Sequence, residues 1–481
     1  MTKSKRAIVS VASILAFSVS MSTGAQASFM DTPEFAEAVA AAENSDWATD
    51  EAVRGHLQLV AEFDSSGPDV WDAEKHPLVY VTSESHENAN PDRAIDGSFA
   101  GFHIVDANTH ENVATFIGSQ SEHHYQISRG PHGLGVSPDG QWAYVGWAER
   151  TRGEVRQTGF LAVVNMRTLK IDKLFKQQMN YRGAQRSQHL HHIQACTTDD
   201  GQQRVIAMWG YGADGGPHHI LNPDDNNRVE RAITFEDVQQ MGHPFTTPSA
   251  DCNYVYTSVG SPQIRNSTSP MAGVARVNLT TGGVQTVLGT GSHPIGITHT
   301  MDGKYTYVAD SNGSRIYKID NDSFKIVKNA AAGVGGPYGI ALNWDESMLV
   351  INGKGEGTHN QGRVVGILQT DQMIPYAGLR QQPVVLGGSA ASVDHIMLHP
   401  DPKRNEMWIS AMKGWETTVL DLNTFESTAY IPTPNGGDTH SGAFVRYNPD
   451  FTGELMSDQG GPKSKEMQQI VRDKAAARMM N

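Results

Sequence analysis

The sequence predicts an all-β fold: a seven-bladed β-propeller closed by strands shared between the N- and C-terminal ends, with a short N-terminal helical extension. Three observations carry this. From His76 onward the chain is a succession of short β-branched and aromatic runs punctuated by Gly, Asn, Asp and Pro, the texture of strands joined by tight turns. The runs recur with a period of roughly 45 to 60 residues, a length typical of a four-stranded propeller blade. One phrase, Pro-x-Gly-Ile/Leu followed by Asp-Gly or Trp-Asp, is repeated along the chain.

The clearest copy runs from Pro131-His132-Gly133-Leu134 through Asp139-Gly140 to Tyr144-Val145, with Asp-Gly as the hairpin turn. Gly159–Asn165 and Leu169–Phe175 complete its four strands. Further copies start at Pro294 and Pro337, and weaker ones near His192, His243 and His395, making six blades between about residues 130 and 432. The remaining blade is split. Its inner strand is Gly442–Tyr447, and Leu78–Thr82, Gly101–Val105 and Val113–Ile117 supply the rest, an arrangement that removes the open sheet edges.

Outside the repeats, residues 1–27 read as a secretory signal peptide. Lys3, Lys5 and Arg6 precede an apolar run from Ala7 to Met21, and Ala25-Gln26-Ala27-Ser28 offers a small-residue cleavage site. The run is shorter than a bilayer span, so the expected mature protein is periplasmic, without a membrane span. Residues 28–75 form the extension, with Phe35, Val39, Val53, Leu57, Leu59 and Val60 at helical spacing. The propeller covers 76–458. The tail 459–481 carries a charged, helix-like stretch from Lys463 to Met480 and is expected to lie outside the ring.

The formal charge of −14 becomes −17 without the three basic residues of the signal. Such a surface repels phosphate backbones, which excludes nucleic acid as a partner class. With only Cys196 and Cys252, a thiolate metal cluster is excluded. The two fall at similar places in consecutive repeats and the expected compartment is oxidising, which leaves a disulfide or two buried thiols open.

In a propeller the innermost strands begin at one face beside the central channel, so residues at these entries and in the loops between second and third strands converge on a funnel. The entries read His132, His191-His192, His243, His293, Tyr338, His395 and His440. With 20 histidines in 481 residues, chance does not fill six of seven such short windows. The loops add Glu84 and His86 in blade 1, Lys354 in blade 6, and Lys413 and Glu416 in blade 7, while blade 3 offers His218-His219 near its third strand. Clustered neutral imidazoles are ligands for copper, zinc, iron or nickel. A histidine-only set of this size favours copper or zinc and exceeds what one tetrahedral zinc uses.

The repeat phrase resembles that of the bacterial propellers named for Tyr-Val-Thr-Asn repeats. The histidine ring, His132, His191, His192, His293, His395 and His440 with His86 and His243, is similar to that of the copper-cluster propellers: the propeller domain of the nitrous oxide reductases and, more closely, the periplasmic thiocyanate dehydrogenases. A nitrous oxide reductase continues into a cupredoxin domain with a cysteine ligand, whereas no cysteine follows Cys252 here. The resemblance implies a multinuclear, His-ligated copper centre and oxidative attack of water on a small sulfur- or nitrogen-containing anion. It further implies electrons passing to an external acceptor such as a periplasmic cytochrome c. Glu84 or Glu416 as general base, Lys354 or Lys413 as anion holder, and a homodimeric assembly are expectations at the same level. Three other readings stay open: a non-enzymatic binding or scaffold propeller, a lactonase-type hydrolase, and a propeller holding noncovalent haem through His132 or His293.

Overall fold

A computed structural model describes residues 57–85, 101–117, 127–129, 131–150, 157–177, 190–209, 218–233, 245–259, 272–355, 361–379 and 382–480. Seven antiparallel sheets succeed one another along the chain, as the repeat predicts. Blade 2 begins at Leu134–Val136, blade 3 at Leu190–Thr197 and blade 4 at Thr246–Pro248. Blades 5, 6 and 7 begin at Pro294–His299, Pro337–Leu342 and Val393–Leu398. Blade 1 is the split one: Gly442–Tyr447 pairs with Leu78–Glu84, followed outward by Gly101–Asp106 and Asn112–Ile117.

The repeated Pro-x-Gly has a steric cause at the axis. A Cβ on Gly296 would stand 2.0 Å from the Tyr338 carbonyl oxygen, and one on Gly339 2.2 Å from that of Asp394. Only glycine lets adjacent inner strands approach so closely. The seam of the ring is fixed by Tyr80, Phe444 and Trp408, whose ring centroids lie 5.0 Å apart across blades 7 and 1, edge and tilted contacts that add to apolar burial. Cys196 in blade 3 and Cys252 in blade 4 are joined as a disulfide, with Cα atoms 5.5 Å apart.

Two segments depart from the sequence expectation. Leu57–Glu62, expected as the end of a helical extension, is a strand. It adds to the outer edge of blade 2, with Leu57 opposite Gln177, so pairing with a distant strand prevails over local helical spacing. The rest of the extension lies outside the described residues. The start of the C-terminal tail, residues 459–462, expected outside the ring, instead enters it, while the helix-like stretch stays outside as expected. Gly453–Asp458 pairs on the axial side of Gly442–Tyr447 and turns back through Gly461–Pro462. This hairpin touches blade after blade: Leu455 N donates to Pro138 O, Ser457 Oγ to Leu398 O, and Gly460 packs against Gln194 and Thr247. Helix α1, Lys465–Met480, then lies along the lower face, burying Met467 and Val471. No helix among the described residues is long and apolar enough to cross a membrane.

Blades 5 and 6 are clipped together by a buried carboxylate. Glu346 accepts a 2.6 Å hydrogen bond from Met301 N, and burial pushes its carboxyl from 4.5 up to about 7. Between those values the folded chain holds a proton that the unfolded chain has lost, so stability falls as pH rises from 4.5 through 7. The full deficit, on the order of 3 kcal/mol, is present above pH 7. Glu346→Gln keeps the acceptor and removes the charge. Urea melts are expected to show the variant gaining over the wild type at pH 8 and matching it near pH 4.5; a gain independent of pH counts against the assignment.

Candidate metal centre

The channel ends of the inner strands carry register irregularities, and these shape the site. In blade 3 the pairing shifts between Leu190 and His192, and in blade 7 between Val393 and Ile396. Successive strand residues normally face opposite ways; a bulge re-aims them. His191 and His192 therefore both reach the axis, as do Asp394 and His395.

Five histidines meet there. His132, His191 and His440 have ligand atoms within 4.8 Å of one another, and so do His192, His395 and His440. All five are buried, at most 4% exposed. Ring centroids lie 3.5 Å apart for His132 and His440, 4.6 Å for His132 and His191, 4.1 Å for His191 and His192, 4.9 Å for His192 and His395, and 4.7 Å for His395 and His440. The result is two overlapping triads with His440 common to both. Phe245 and Tyr338 wall the group, with centroids 5.5 and 5.4 Å from His395. Serine hydroxyls fix the strands that deliver the rings: His395 N donates to Ser410 Oγ, Ser410 Oγ to His440 O, and His440 N to Ser83 Oγ.

Burial holds the His395 and His440 imidazoles well below the ordinary histidine range, so both are neutral near pH 7, the form that binds metal. Their Nε2 atoms are buried without a hydrogen-bond partner among the described residues, a costly state for a polar atom. Metal–nitrogen bonds of about 2.0–2.1 Å place the ligand atoms of one ion within about 4 Å of each other. The two buried triads, with ligand atoms within 4.8 Å, come close to that scale and could hold a metal.

Asp394 stands behind the ring. Its Oδ2 lies against His440 Nδ1, and its Oδ1 is 3.1 Å from Lys354 Nζ. Burial pushes the Asp394 carboxyl up, and Lys354 pulls it back down. Lys354 Nζ also sits 3.7 Å from the Tyr338 ring centroid, a cation over an aromatic face. A carboxylate against Nδ1 leaves Nε2 as the nitrogen of His440 available to the site, the usual place of a carboxylate behind a metal-bound imidazole.

The other sequence candidates fall elsewhere. His293, 7% exposed, enters neither triad; its backbone N donates to Asp310 in blade 5. His218 is engaged by the hydroxyls of Thr246 and Thr257. Glu84 accepts from Asn435 N, Asn435 Nδ2 and Gly437 N, pinning the loop that leads to His440. Glu416 accepts from Ser389 N and Oγ, pinning the loop that leads to Asp394 and His395. Lys413 is half-buried on the turn before Glu416. His86 and His243 lie outside the described residues. Asp394, Ser410, Phe245 and Gln459, which faces His192, escaped the sequence reading; for Asp394 alone there was a signal, its place beside a ring histidine.

No family model matches the chain, and no curated protein matches it. Among solved structures it is similar to the dihydro-heme d1 dehydrogenase NirN, at 14% identity and a TM-score of 0.47 over 89% of this chain and 83% of that one. A functionally unknown protein from Desulfotomaculum acetoxidans matches at 14% and 0.47 over 75% and 98%. Kuenenia stuttgartiensis hydrazine synthase matches at 14% and 0.43 over 68% and 95%. At this identity and superposition they assign nothing to this chain.

Proposed function

We propose that the protein is a periplasmic copper-dependent oxidoreductase acting on a small inorganic sulfur- or nitrogen-containing anion, with thiocyanate the first substrate to test. The observation that supports this best is the pair of buried imidazole triads sharing His440. An all-imidazole donor set suits copper or zinc, and five imidazoles, one of them shared by both triads, exceed a single tetrahedral zinc site. The resemblance of the histidine ring to that of the thiocyanate dehydrogenases selects copper between them.

His132, His191, His192, His395 and His440 hold the metal. Bound copper supplies electron transfer and an acidified water. Asp394 orients His440, and Lys354 balances its charge. Phe245 and Tyr338 keep bulk water from the lower part of the site. Glu84 and Glu416 enter as loop anchors rather than bases, because taking up a proton would cost the hydrogen bonds that set the His440 and His395 loops. Substrate arrives as a free anion, and electrons leave to an external acceptor such as a periplasmic cytochrome c.

The test is elemental analysis of protein matured in copper-supplemented periplasm, followed by oxidation of thiocyanate with an artificial electron acceptor. Two or more copper ions per chain and acceptor reduction are the expected results. A metal-free protein would falsify the reading and leave the binding or scaffold propeller in its place.

A further inference from the structure

We infer that Gln459, at the tip of the C-terminal hairpin inside the channel, is a positioning residue for the metal centre that sets the ring orientation and tautomer of His192. The inference rests on the metal-centre reading above.

The hairpin brings Gln459 Nε2 to 3.4 Å from His192 Nδ1. Both side chains are buried, at 3% and 1% exposure, and Gln459 Oε1 has no hydrogen-bond partner among the described residues. The tip is held from both sides. Gly460 N donates to Asp458 Oδ1 at 2.6 Å, and Asp458 pairs with the equally buried Lys463 at 3.3 Å. A Cβ on Gly460 would stand 2.2 Å from Gln194 Oε1 and 2.6 Å from Thr247 Oγ1, so the turn is wedged against blades 3 and 4.

A primary amide suits this position chemically. It donates from nitrogen and accepts at oxygen, so it can meet His192 Nδ1 in either state. With the ring proton on Nε2, the amide N–H donates to Nδ1. With Nε2 on a metal, Nδ1 carries the proton and the amide oxygen accepts it. Gln459 thus takes beneath His192 the place that Asp394 takes behind His440, and each triad has a partner fixing one of its rings. Losing such a partner typically weakens metal affinity by about 10- to 100-fold.

The experiment measures copper(I) affinity of the full chain by competition with a chromophoric chelator, with folding followed by circular dichroism. Gln459→Leu removes donor and acceptor at similar volume and is expected to bind copper about 10- to 100-fold more weakly. Gln459→Glu keeps an acceptor at the same reach and is expected to stay near the wild type. Equal affinity in wild type and Gln459→Leu overturns the inference, as does equal loss in the Leu and Glu variants, which marks a packing role. Should Gln459→Leu not fold, Gln459→Met takes its place, and failure of both apolar variants to fold also overturns it. A wild type that binds no copper removes the metal centre itself, an outcome distinct from a copper-binding wild type indifferent to residue 459.

Discussion

His440→Ala takes a ring from both triads at once, whereas His132→Ala and His395→Ala each break one. With Nδ1 against Asp394, His440 has one nitrogen to give and serves one ion at a time, so copper per chain is expected to fall furthest in the first variant and less in the other two, since a triad reduced to two imidazoles falls below the three protein ligands of an open metal site. His293→Ala serves as the control, because His293 belongs to neither triad, and it retains the wild-type content. Elemental analysis of the four purified variants reads this directly. Equal losses in all four would mean that the ring binds as one undivided set, and no loss in His440→Ala would remove the proposed centre. The ligand strands are held by Ser83, Ser410 and the apolar blades rather than by the imidazoles, so circular dichroism melts should stay cooperative throughout.

A chain ended at Asn448 loses more than a surface appendage. Leu455 and Met456 of the hairpin and Met467 and Val471 of α1 are all buried. Burying each such side chain contributes about 1.5–3 kcal/mol, so together they contribute roughly 6–12 kcal/mol. That is comparable to the whole stability of a typical folded protein, about 5–15 kcal/mol. The truncated chain is expected to be digested by protease under conditions where the full chain resists, and to bind no metal. A truncated protein with an unchanged melting temperature would show instead that the ring stands alone and the hairpin only fills it.

The parts of this fold that were legible in the sequence are those that repeat. The Pro-x-Gly phrase marks where inner strands pass close at the axis, and its glycines are required by backbone approach at Gly296 and Gly339. That fixed blade starts well enough to place His132, His191, His192, His395 and His440 at one end of the channel. His293 satisfied the same rule and still missed the group, because the bulges that aim entry residues differ between blades and a bulge has no one-letter signature. Asp394 went unread because the ring it meets is that of His440, on another blade, and not that of its sequence neighbour His395. The Leu57–Glu62 strand and the hairpin went unread because neither belongs to a repeat: the strand is placed by pairing with the distant Ile171–Gln177, and the hairpin, though it directly follows its partner Gly442–Tyr447, is placed by contacts with other blades. Gln459 is the extreme case, a neutral residue in a Gly-rich turn whose significance comes wholly from where the hairpin ends.

The split blade also dictates timing. His132 comes from blade 2, His191 and His192 from blade 3, His395 from blade 7 and His440 from the loop that enters blade 1, a strand that must find Leu78–Glu84 across more than three hundred residues. Contacts of such sequence separation form late, since the closure entropy must be met before they reward it. A growing chain can fold blade upon blade and still have nowhere to put an ion. Only after the last strand has joined the first, and the hairpin has come up from below, does the pocket exist. If the centre takes the proposed metal, loading would therefore report on completion: a prematurely ended polypeptide would stay empty, and a loaded one would be full-length.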